Sequence, residues 1–134
     1  MALGLVAVAG CSGVPGGPDD QSVADACSQA SASVSAAQSD LSDITTDVTE
    51  GNFSVVAEQL GALHTNLAET AESLGNADVR RTLNALANKV GDFARIFDGA
   101  PDGDLTAIAD RVTELQSVSR DVAAAGQAMS DLCN

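Results

Sequence analysis

The chain has no tryptophan and no tyrosine, only three phenylalanines (Phe53, Phe93, Phe97), one histidine and six Lys or Arg side chains in 134 residues. Each scarcity removes a class of activity. Without aromatic platforms there is little on which to stack a base, a sugar ring or a planar ligand. The few cations face 19 carboxylates, for a formal net charge of −13. A phosphate backbone is therefore repelled, and no nucleic acid is expected as a partner. Anionic head groups would not draw the domain to a membrane by charge either. The deficit is also lopsided, because no Lys or Arg precedes Arg80.

Catalytic and metal-binding patterns are equally sparse. His64 is the lone histidine, so a metal or haem role would need Met129 as its partner, and the two fall at different levels of their helices. No Cys-x-x-Cys-His is present to attach a haem, and no Glu-x-x-His for a di-iron site; Glu58, Glu69 and Glu72 fall on outward positions. The loop Asp98-Gly-Ala-Pro-Asp102-Gly-Asp104 has calcium-loop composition but not EF-hand spacing. Its residues read as helix stop and start signals. There is no Gly-x-Ser-x-Gly elbow. The expectation is a protein that is not an enzyme and carries no cofactor or metal.

What is present begins with a short apolar run. Met1 to Gly10 is too short to span a bilayer and has the character of a secretory signal. The four residues Val8-Ala9-Gly10-Cys11 resemble a bacterial lipobox, where small residues precede a cysteine. The resemblance implies cleavage before Cys11, a diacylglycerol on its thiol, and an extracytoplasmic domain anchored to the cell membrane by lipid. The Ala-, Val-, Asp- and Gly-rich, Lys-poor usage is similar to that of GC-rich actinobacteria. One feature departs from the pattern: no Lys or Arg precedes the apolar run. Either the start codon lies upstream of Met1, or the motif is accidental and the run is a buried strand or apolar tail. Residues 11–19, rich in Gly and Pro, read as a flexible tether behind the anchor.

From Asp20 onward the periodicity is helical. Apolar residues step by four and three through Val23, Cys27, Ala30, Val34, Ala37, Leu41, Ile44 and Val48. Gly51 stops that segment and Asn52 is placed to cap the next. A second set runs from Phe53 to Leu74, a third from Val79 to Phe97, and a fourth through Leu105, Ile108, Val112, Leu115, Ser119, Val122, Gly126, Met129 and Cys133. The spacing predicts helices over about 20–50, 53–74, 77–98 and 103–132. Short connections make these an all-α, up-down-up-down antiparallel four-helix bundle over residues 20–134.

With Cys11 lipidated, Cys27 and Cys133 are the remaining thiols. Both sit inward at one end of that bundle, and an exported pair should form a disulfide. Straight helices leave Cys133 about two turns, or ~10 Å, beyond Cys27, whereas a bridge needs Cα atoms ~5–6 Å apart. A bend is required, and Gly126 is the expected place for it.

Two roles fit this composition, and the sequence favours the first because no cluster of polar groups converges inside to orient a ligand. In the first, the anchored bundle is an interaction or accessory module of the cell envelope. Its stripe of Asp40, Asp43, Asp47 and Glu50 would meet another envelope protein, a divalent cation, or simply Lys89 or Arg111 of a neighbouring helix. In the second it is a carrier, in which small residues such as Ala30, Ala37, Ser119 and Gly126 leave a cavity for an apolar molecule or lipid.

Overall fold

The structure, a computed structural model, describes residues 21–134. Met1–Gly10, Cys11 and the Gly/Pro tether lie outside the described residues. Among the described residues the protein is all-helical, with no strand. Five helices follow in order: α1 (Val23–Glu50), α2 (Phe53–Ser73), α3 (Ala77–Phe97), α4 (Leu105–Ala109) and α5 (Val112–Cys133).

The starts of α1 to α4 follow local chemistry, with one exception. Ser22 caps α1 by accepting from the Asp25 N–H, and Gly51 ends it in the left-handed region at φ 80°. Asn76 caps α3 through the N–H groups of Asp78 and Val79. The exception is α2. Asn52 makes no capping bond; its amide instead donates to Asp47 and Glu50 on α1. The cap comes from the α3–α4 connection, where Asp102 accepts from the Ser54 N–H at 2.7 Å and from its hydroxyl at 2.8 Å. Gly103 N–H donating to the Gly51 carbonyl holds the same connection down.

The core is uneven. Phe53, Val56, Leu60, Leu63, Leu67 and Ala71 of α2 pack against Val79, Leu83, Leu86, Ala87, Val90, Ile96 and Phe97 of α3, all fully buried. Phe53, Phe93 and Phe97 cluster at one end, with ring centroids 6.0 and 5.6 Å apart. α1 lies on this pair through Ala26, Cys27, Ala30, Ala37 and Ile44. α5 contributes only Met129 as a fully buried residue, and α4 contributes none. The tightest helix contacts are α2 with α3, then α3 with α5 and α1 with α2; α1 and α5 touch only lightly.

The last part of the chain differs most from the sequence reading. The expected single helix over 103–132 is two, broken at Asp110–Arg111, where there is neither Gly nor Pro. Arg111 closes on Ile108 in a tight turn and sends its guanidinium to the Ile96 carbonyl at the end of α3, at 2.6 Å. That tertiary bond re-aims the chain. Two residues expected inward next to this break, Leu105 and Val112, are exposed; Ser119 and, on α1, Val23 and Leu41 are exposed as well. Val118, Ala125 and Leu132 pack on the core instead.

The break also removes the expected disulfide mismatch. Cys27 and Cys133 form a disulfide with Cα atoms 5.5 Å apart. α5 passes through Gly126 without interruption, so the bend expected there does not occur. The mismatch arose from counting the α4 turn as part of the last helix. The 22 residues of α5, laid against α1 from its Glu50 end, finish within about a turn of Cys27.

Candidate functional site

Because α1 and α5 flank the same core but barely touch, a seam is left between them. Cys27–Cys133 closes it at one end. Above the disulfide, Ser31, Val34 and Gln38 of α1 face Gly126, Met129 and Ser130 of α5 across a hollow of about 350 Å³, with Leu86 of α3 beneath. One to two turns further along the same faces, Leu41 meets Ser119 and Val122 over a second hollow of about 140 Å³, floored by Leu60, Val90 and Phe93. On α1 the lining residues advance by three or four from Cys27 to Leu41, while on α5 they recede from Cys133 to Ser119. The two hollows are therefore successive parts of one furrow. Its α1 wall is ~21 Å long at 1.5 Å per residue.

The chemistry changes along the furrow. The hollow that begins at the disulfide carries uncharged polar groups, Ser31 and Ser130 near Cys27–Cys133 and Gln38 one turn short of Leu41. Towards Leu41, the lining is apolar apart from the Ser119 hydroxyl. No Asp, Glu, Lys or Arg lines either hollow. The Cβ that an alanine would bring at Gly126 meets nothing within 4 Å, so that wall is thin because glycine is there. The small residues of the sequence reading fall into two groups. Ser119 and Gly126 border the furrow, while Ala30 and Ala37 are buried beneath α1 and leave no space of their own.

The acidic stripe occupies a different face. Asp40 and Asp43 border a shallow hollow of about 190 Å³ with Gln59 and Ala62 of α2. Asp47 accepts from the Gln59 and Asn52 amides, and Glu50 from Asn52. Neither Lys89 nor Arg111 reaches the stripe. Lys89 lies between Asp92 and Asp121, at 3.8 and 3.6 Å, while Arg111 is held by the Ile96 carbonyl. Among the described residues, none of the four stripe carboxylates is in an ion pair.

His64 has an interhelical role. Its Nδ1 lies 2.6 Å from the Ala87 carbonyl of α3. A carbonyl only accepts, so Nδ1 carries the proton. The ring fits because Gly91 faces it: a Cβ there would lie 3.0 Å from Nδ1. Arg80, on the outer side of α3, is turned back to the Leu74 carbonyl, and Arg81 pairs with Asp78.

Among the described residues, no group of three or more His, Cys, Asp or Glu side chains is placed to hold a metal ion, and no helix is long and apolar enough to cross a membrane. Sequence reasoning missed the polar wall of the furrow. Ser31, Gln38 and Ser130 fall outside every apolar set, and only the Ser- and Ala-rich character of α1 hinted at a thin wall. The chain matches no protein-family model, no curated protein and no solved structure.

Proposed function

We propose that this chain is a carrier of an apolar small molecule or lipid, held in the furrow between α1 and α5. The observation that carries the reading is the uncharged furrow itself, where two helices share a core without closing on one another. Ligand sites in helical proteins favour such inter-helix clefts, with apolar walls and a few convergent polar groups. The supporting scaffold is an up-down-up-down antiparallel arrangement of α1, α2, α3 and α5, with α4 part of the last connection. Contacts at two levels of each pair support it: Gln29 with Ser73 and Asp47 with Gln59, Phe53 with Phe97 and His64 with Ala87, Lys89 with Asp121 and Arg111 with Ile96. The reading includes a position outside the cytoplasm, tethered by lipid on Cys11, for which the support is the lipobox resemblance of Val8-Ala9-Gly10-Cys11. Native mass spectrometry of protein purified without detergent tests the carrier reading. A reproducible adduct lost on organic extraction is expected; repeatedly ligand-free spectra would sink it.

One observation favours a second reading, an interaction module of the envelope. Among the described residues the stripe Asp40, Asp43, Asp47 and Glu50 has no paired cation, so its charge is available to a basic partner protein. Reversing Asp40, Asp43 and Asp47 to Lys would then abolish that partner's co-purification; the same partners recovered after reversal would remove the reading.

A further inference from the structure

We infer that the ligand is an amphiphile with a single acyl tail and an uncharged, hydroxyl- or amide-bearing head, the chemical class of a monoacylglycerol, rather than a free fatty acid. The inference rests on the carrier reading and adds to it the polarity and orientation of the ligand.

The argument is one of charge. A carboxylate drawn into a furrow needs a cation or several N–H donors, because an ion removed from water without a partner is strongly disfavoured. No charged side chain lines either hollow. The nearest lysine on the floor helix, Lys89, is already shared by Asp92 and Asp121. Arg120 lines an outer hollow on α5 with Val112, Leu115, Ser119 and Ala123, which meets the furrow only at Ser119, at the opposite end from Ser31 and Ser130. The wider field of a chain with net charge −13 opposes an anion as well. A cationic head would find no carboxylate in the furrow.

Neutral polar groups, by contrast, line the hollow on the disulfide side of the furrow. Ser130 Oγ accepts from the Asn134 amide and keeps its own proton to give, and Ser31 Oγ donates to the Ser28 carbonyl and keeps lone pairs to accept with. With Gln38, which offers both roles, they can satisfy hydroxyls or an ester carbonyl. The tail then runs away from the disulfide into the hollow floored by Leu60, Val90 and Phe93. The head lies between Cys27–Cys133 and Gln38, and the chain end beyond Leu41 beside Ser119.

Titration calorimetry on the full-length oxidised chain tests this, using monolauroylglycerol and laurate below their micelle concentrations at neutral pH. The two probes share a tail and differ in head charge. The neutral probe should bind about tenfold tighter or more. Gln38→Lys, at an exposed position of α1, should raise laurate affinity and narrow the gap. Equal affinities, or tighter laurate, would overturn the inference and leave the carrier reading intact. No effect of Gln38→Lys on the laurate affinity would overturn the head placement. Binding of neither probe to a chain with native helicity would overturn the inference and the carrier reading together.

Discussion

At the scale of single residues, the folded form depends on side chains that reach across long stretches of sequence. Asp102 is fully exposed, yet its carboxyl is held below the ordinary carboxylate range, first by the Ser54 N–H and then by the Ser54 hydroxyl. A folded-state pKa below the unfolded one gives stability that is present above the unfolded value and lost as pH falls through the folded one. Asp102→Ala should therefore lower the Tm at neutral pH, and the gap from the parent should close in acid. Circular dichroism melts across pH check this; a gap that stays constant into acid would separate the cap from the charge. Two glycines give a paired test. Gly126→Ala adds a methyl group into open space within a helix and should stabilise by about 0.5–1 kcal/mol. Gly91→Ala brings its Cβ to 3.0 Å from His64 Nδ1. That displaces the ring from the Ala87 carbonyl, so the variant should be less stable than the parent in urea titrations. Of the caps, the sequence reading named only Asn52, whereas Ser22 and Asn76 cap the helices they stand beside. It did not reveal Asp102 as a cap, because its partner is 48 residues away and Asn52 occupied the expected position.

At the scale of elements, α5 is the least secured of the long helices. It has one fully buried residue and depends on Arg111 at its start, Lys89–Asp121 midway and Cys27–Cys133 at its end. An exposed ion pair such as Lys89–Asp121 adds little, so the disulfide bears most of the task of holding the C-terminal turns. The cross-link closes 106 residues, which on the chain-entropy model corresponds to about 4–5 kcal/mol. Cys133→Ser, or reduction by a dithiol, should lower global stability substantially. It should also speed amide exchange in the turns around Met129 before that of α2 and α3. Hydrogen exchange followed by mass spectrometry reads both effects, and uniform loss of protection across all helices would contradict the ranking. The same feature explains what was legible. For α2 and α3 a continuous stripe of Leu, Val and Phe makes period and burial coincide, so every apolar residue in their predicted stripes packs inward or half-inward. The α4–α5 break left no trace in the pattern, because the periodicity continues through Asp110–Arg111 and the cause is a tertiary bond.

At the scale of the whole molecule, the outer helices are built from smaller residues than the inner pair, and this difference creates the furrow. α1 brings mainly Ala and Ser to the interface, so it approaches the α2–α3 pair closely but extends little towards α5. Residue types therefore foretold an all-helical protein, and the disulfide followed from cysteine positions. The space between α1 and α5 depends on where the last helix begins, which periodicity could not supply. If the furrow were only a packing defect, filling it would improve the protein in every respect. If it is a ligand site, stability and function should respond with opposite signs. Ser119 is the position for that comparison, being exposed at the junction of the apolar hollow and the outer face of α5. Ser119→Leu covers Leu41 and Val122 with apolar surface, and partial burial of that side chain should add about 1 kcal/mol. It should at the same time remove the bound apolar molecule seen in native mass spectra. A variant that is more stable and still carries the adduct would place the ligand elsewhere and leave the furrow as unfilled space.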